Sequence, residues 1–265
     1  MVTGEAFEEA VRLARAHPTL AVGIHLVLVD GWSALPPARI PHLVDRLGRF
    51  RPGPVVAGFR AQFPPIAASE LRQEMRAQLE RFRETGLPLS HVDGHHHLHL
   101  HPVVLDTLAA LAREFGIRTV RLPVEETDLA KACGLRVGPG AGLGSRVFRL
   151  LRRQGERLLE PAGVSFHERV YGRLATGRVD EAYLLRLLPR LDAEAVEIYC
   201  HPELPADGEA NGVSTATGVS EFAALTSPAV RRAIVEAGFT LTGPVPEEFP
   251  GSRAGEFAEP QASLG

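Results

Sequence analysis

The sequence predicts an α/β fold: a parallel sheet with helices outside it, closed or partly closed as a barrel. Three observations carry that expectation. Apolar runs of strand length alternate with amphipathic stretches of helical period. Glycine and proline punctuate the connections between them. Histidines sit at or near the ends of three of the apolar runs, and the C-terminal ends of parallel strands are where such folds gather their chemistry.

Taken in order, residues 5–16 form an amphipathic helix with Phe7, Ala10, Val11 and Ala14 on one face, stopped by His17-Pro18. Residues 21–28 are a buried strand that carries His25. A proline-rich connection follows, through Leu35-Pro36-Pro37, Ile40-Pro41 and Arg51-Pro52-Gly53-Pro54. Residues 69–85 form a second helix, with Leu71, Met75, Leu79 and Phe82 on one stripe and Gly86 just past its end. Leu87–Val92 is a short strand, and Pro102 then opens a helix that closes at Gly116. Residues 117–122 alternate as a strand. Gly138, Gly140, Gly142 and Gly144 mark 136–144 as a mobile loop. Residues 145–159 make a basic helix, read as a solvated face in preference to a binding patch. Residues 180–191 are helical, and 196–200 form a strand that delivers His201-Pro202. The polar stretch 206–220 is a loop. Ser227-Pro228 caps a helix to Glu236, and 239–242 is the last strand. The domain spans 1–245, with 246–265 as a disordered tail.

Composition narrows the partners. The chain has 265 residues, is 45% hydrophobic and 23% charged, and has a formal net charge of −3. That balance gives no electrostatic argument for nucleic acid or an anionic membrane as a partner. Cys133 and Cys200 make no metal or disulfide framework. No apolar run reaches membrane-span length and no signal-peptide pattern is present, so the expectation is a cytoplasmic protein, with a homodimer as an open possibility.

Six of the eleven histidines lie between Ser90 and Pro102. Imidazole is a common metal ligand and titrates near neutrality. Alternation along an extended segment would bring Asp93, His95 and His97 to one face and send His96 away. Singly, His25 suits a satisfied core position and His201 a turn. Repeated on three strands, the arrangement favours one shared mouth.

Three segments, Gly23-Ile24-His25-Leu26, His91 through His99, and Tyr199-Cys200-His201-Pro202, together resemble the YdjC-like carbohydrate deacetylases. The similarity runs from Met1 to about Gly243. Leu26–Val29, Leu35-Pro36-Pro37, Ile40-Pro41 and Gly48-Arg49-Phe50 resemble the branch associated with hopanoid biosynthesis. The resemblance implies a distorted, TIM-like βα-barrel that removes an acetyl group from an N-acetylglucosamine unit with the help of a divalent metal ion, magnesium or zinc. The substrate would be an N-acetylated amino sugar, in a glycolipid such as a glucosaminyl hopanoid precursor or in a chitin-type oligosaccharide. By position, His25 and His95 match the metal-binding histidines and His201 an active-site histidine, which as an imidazolium would stabilise the intermediate or protonate the amine. Asp93 would orient an imidazole. Arg121 would hold substrate or form a structural ion pair.

Members of that family begin with a strand ending in Asp-Asp-Phe-Gly, and no Asp-Asp pair occurs in this sequence. The expectation is therefore a barrel lacking its first βα unit, poorly soluble and with little or no activity. Two other readings compete: a non-catalytic barrel fragment that binds sugar or metal, and an amidohydrolase or phosphoesterase of the His-x-His type.

Overall fold

Pro102 and Gly116 set the limits of the helix beside the histidine run, as their chemistry dictates. Proline lacks the amide hydrogen that a first helical turn leaves unpaired anyway, and Gly116 adopts φ 65°, a left-handed conformation that glycine takes without strain. The computed structural model in which this is seen describes residues 1–50, 67–124, 127–138, 140–205 and 216–243. Its element order is α1 (Phe7–Ala16), β1 (Ile24–Leu26), α2 (Ala68–Arg83), β2 (Val92–Gly94), α3 (Pro102–Phe115), α4 (Thr127–Ala132), α5 (Ala141–Leu159), β3 (Arg169–Tyr171), α6 (Glu181–Leu187), β4 (Val196–Ile198), α7 (Ala216–Thr226) and α8 (Pro228–Glu236).

The fold is α/β, with short parallel strands. β1 pairs with β2 in the register Ile24↔Val92, His25↔Asp93 and Leu26↔Gly94. β3 pairs with β4, Tyr171 opposite Ile198. Single parallel bridges extend the first pair, Val92↔Val120 to the segment after α3 and Thr119↔Ser165 from there to Ser165, and an antiparallel bridge, Val124↔Val170, joins that segment to β3. Two apolar clusters result. Ile24, Leu71, Met75, Leu79, Val92, Leu105 and Val120 belong to the one around β1 and β2. Tyr171, Val179, Tyr183, Leu187 and Val230 belong to the one around β3 and β4. Leu105 has no exposed surface, so Leu105→Ala is expected to destabilise the protein by about 2–5 kcal/mol in chemical denaturation.

Several boundaries differ from those the sequence predicts. The strand expected at 87–92 lies later: Ser90 and Ile24 amides bond Val22 and His91 carbonyls at 3.0 Å, but the ladder itself is Val92–Gly94. Residues 117–122 make isolated bridges only, and no strand forms at 239–242. The expected mobile loop at 136–144 is in part helix, because α5 begins at Ala141 and takes in Gly142 and Gly144. Arg152 anchors that helix inward, donating to the carbonyls of Leu122 at 2.8 Å and His167 at 3.0 Å. Residues 216–220 open α7 and are not loop. The expectations for 51–54, 206–215 and 246–265 lie outside the described residues. Ser227 caps α8, its hydroxyl accepting from the Ala229 and Val230 amides; Ser227→Ala should lower stability by about 1 kcal/mol in urea unfolding.

Candidate active site

Strands β1, β2 and β4 bring polar residues together, His25, Asp93 and Glu197, with Arg121 between the two acids. His25 lies in β1 and Asp93 opposite it in β2, so backbone pairing alone brings their side chains together. The Nδ1–H of His25 donates to Asp93 Oδ1 at 2.7 Å. That bond fixes the tautomer and leaves the Nε2 lone pair of His25 available. Beyond Asp93 the chain leaves the extended conformation. Residues 95–100 wind as a tight turn with His96 at φ 52° and His97 at φ 58°. The alternation argument for the histidine run therefore applies to Asp93 but not to His95–His97, which owe their directions to the turn.

Gly94 makes that turn possible: a Cβ on it would stand 2.9 Å from the Cβ of His99, which is packed directly beneath. His99 is fully buried and donates through Nε2 to the Arg121 carbonyl at 2.7 Å. Burial first, with nearby cationic groups, pushes its imidazole down to about 4. The His95 ring stands 5.7 Å from that of His25, edge-on, and 4.2 Å from that of His96. Desolvation, His96 and His25 push His95 down to about 4, so at neutral pH it offers a lone pair and no charge. His96 does not cross to His25; its Nε2 lies 3.5 Å from Asp30 of the loop after β1. Asp30, His96 and His97 are the non-glycine residues with positive φ among the described residues. All three border this mouth, where backbone strain of roughly 1–3 kcal/mol per residue is commonly found.

Arg121 organises the floor. Its guanidinium meets Asp93 Oδ2 on one side and Glu197 on the other, with Nε donating to Glu197 Oε1 at 2.7 Å. It also lies over the Tyr199 ring at 4.9 Å. Burial alone would raise the Asp93 carboxyl; the His25 hydrogen bond and the Arg121 charge outweigh it and hold Asp93 far below the carboxylate range. Glu197 is likewise lowered, burial being offset by His167 and Arg121. Of the two roles the sequence left open for Arg121, the geometry favours the ion pair, because both faces of its fork are engaged by carboxylates.

β4 delivers Tyr199 and His201. The Tyr199 hydroxyl is 2.8 Å from His97 Nε2, and its ring is 5.8 Å from that of His201. His201 is exposed, and its amide donates to the buried Glu221 at 2.6 Å, which also receives the Val179 amide. The structure thus brings His25, Asp93, His95, Arg121 and His201 to one mouth. Glu197, Tyr199 and Glu221 join them unforeseen. A lone glutamate within Val196–Ile198 was the available signal, since an acid inside a short apolar strand needs a buried partner.

Whether these groups suit a divalent cation is a question of donors. Two imidazoles, one of them backed by a carboxylate, are the nitrogen donors such an ion takes. Among the described residues no three His, Cys, Asp or Glu side chains converge to hold one. His25 and His95 are the pair that fits. The apolar clefts lined by Val22, Gly23, Phe82 and Leu87 lie at the other end of β1 and bring no polar groups together.

The family model described as YdjC-like protein matches residues 1–236. A relative described as carbohydrate deacetylase, from Brevibacillus brevis, is 46% identical over 125 residues, which is 46% of this chain and 46% of the relative. The chain therefore spans about half the length of that relative. A chitooligosaccharide deacetylase from Serratia marcescens is 28% identical over 91% of this chain and 83% of its own length. A solved structure from Enterococcus faecalis, provisionally described as a cellobiose-phosphate cleavage protein, superimposes with a TM-score of 0.68 at 25% identity, over 92% of this chain and 84% of the other.

Proposed function

Because this chain belongs to the YdjC-like protein family, we propose that it is a carbohydrate N-deacetylase, hydrolysing the acetamide of an N-acetylglucosamine unit. The observation that carries the reading is the His25–Asp93 hydrogen bond beside the uncharged His95, at the strand ends of a chain whose relatives are described as carbohydrate deacetylases. The fold is read as a distorted, partly open βα-barrel in one domain over 1–245. In support, the parallel passes of β1, β2, residues 119–120 and residue 165 are neighbours in sequence order.

In this reading His25 and His95 hold a divalent ion, which when bound supplies a polarised carbonyl and an activated water. The chain's own residues orient the site and move the leaving-group proton. Asp93 keeps the proton of His25 on Nδ1, so that Nε2 faces the mouth as a lone pair. Arg121 keeps Asp93 ionised and fixed in place. His201, exposed at the rim, is placed to give a proton to the amine as the C–N bond breaks. The buried Glu221 holds its backbone. The turn at His96 and His97 sets the direction of His95.

Both a chitin-type oligosaccharide and a glycolipid carry the required acetamide. The test is acetate release from N-acetylglucosamine oligosaccharides, with cellobiose as the control that lacks the acetamide. His201→Ala should lower kcat by roughly a hundred-fold or more while changing KM little. Acetate release by the metal-supplemented protein would overturn the expectation of little or no activity that the missing Asp-Asp pair raises, and its absence would refute the deacetylase reading.

A further inference from the structure

The net charge of the whole chain hides a local one. Along α5, Arg146, Arg149, Arg153 and Arg157 are all exposed, and none pairs with an acid among the described residues. At 100° per residue they fall within an arc of about 80°. The adjoining arc of about 60° holds Leu143, Val147 and Leu150, which are 70%, 39% and 64% exposed, with the half-buried Gln154 at its C-terminal end. The opposite side of the helix is its packing face, through Ser145, Arg152, Gly155 and Leu159. The outward surface is thus half arginine stripe and half apolar stripe. That is the pattern of a helix that lies in a membrane interface, basic groups at the headgroups and leucines at the acyl boundary. A solvated face would gain nothing from the leucines, and a nucleic-acid face would not need them.

The same helix walls the mouth described above. On its inner side the Phe148 ring stands 5.7 Å from His97, and Arg173 packs over Phe148 at 4.4 Å while reaching Ser145 at 3.3 Å. A surface on which α5 rests is therefore only about one helix diameter, ~10 Å, from the histidines. No helix among the described residues is long and apolar enough to cross a membrane, so the contact would be peripheral.

We propose that α5 docks this protein on an anionic bilayer, bringing the mouth to the headgroup of a membrane-borne glycolipid. The docking stands on α5 alone; the choice of a glycolipid rests on the deacetylase reading. The test uses the full chain and lipid vesicles, of phosphatidylcholine alone and of phosphatidylcholine mixed with phosphatidylglycerol, in a flotation assay. Binding to the mixed vesicles, and not to the neutral ones, is expected, weakening as salt is raised. Arg149→Ser with Arg153→Ser should weaken it about 25-fold, five-fold for each arginine. Leu143→Ser with Leu150→Ser should weaken it comparably. Both variants change exposed positions, so circular dichroism melting and acetate release from a soluble N-acetylated sugar should match the parent. Absence of binding would overturn the docking. Binding indifferent to the leucine changes would also overturn it, and would indicate a polyanion site. A dimer that Leu150→Ser dissociates would do so too, by assigning the face to a second copy. Vesicle binding without acetate release from any sugar would uphold the docking and refute the deacetylase reading instead.

Discussion

Arg121→Met should destabilise the protein by about 3–5 kcal/mol, the largest single effect on stability expected at the site. The side chain of Arg121 is only 13% exposed, and it stands between Asp93, at 8%, and Glu197, at 18%. Methionine preserves most of the volume and removes the charge. Two buried carboxylates are then left facing each other across an apolar side chain, with His25 and His167 as their remaining partners. Asp93 belongs to β2 and Glu197 to β4, so the loss also unfastens the two strand pairs from one another. Urea unfolding of the variant would show it as a lower midpoint. A double variant, Arg121→Met with Glu197→Gln, should recover part of the loss, because one uncompensated charge disappears. An Arg121→Met midpoint equal to that of the parent would mean that the guanidinium is solvated in solution and bound to neither acid.

Much of this arrangement could be read in the sequence, and the parts that could not have physical reasons. The helix at 102–115 was legible because both of its ends carry chemistry, proline at the first turn and glycine in the left-handed position. His25, His95 and His201 were legible as one group because strand ends in a parallel sheet face the same way. The directions within the histidine run were not legible. They depend on left-handed φ values at His96 and His97, which no periodicity announces. β3 escaped notice because three residues, Arg169–Tyr171, are too few to show alternation. Gly142 and Gly144 pointed to a loop yet lie in the first turns of α5, and further along the same helix Gly155 serves a close contact: a Cβ on it would meet Leu122 Cδ2 at 2.9 Å. In that helix, packing and the anchoring of Arg152 override local propensity.

Asp93→Asn isolates the role of the carboxylate that backs His25. The substitution keeps the shape and removes the charge that fixes the Nδ1–H tautomer, and loss of such a partner typically lowers activity 10–100-fold. Removing the imidazole itself goes further. His25→Ala and His95→Ala should each reduce acetate release by at least about a hundred-fold. The two effects should not multiply, since the residues act as one unit. Neither histidine is a core packing residue: the His25 side chain is 31% exposed, and the surrounding cluster is built from Ile24, Leu26 and Val92. Their thermal unfolding should therefore stay close to the parent's, which separates a chemical loss from a folding one.

The central claim, that the His25–Asp93 pair and His95 work together on the acetamide of an amino sugar, is tested most directly by acetate release from an N-acetylglucosamine oligosaccharide. The parent protein would be compared with His25→Ala and His95→Ala, at matched folded concentration and with a divalent cation supplied. The account predicts turnover by the parent, abolished by chelation, and loss of at least about a hundred-fold in each variant. Equal turnover by parent and variants would contradict it, as would no turnover by a folded parent.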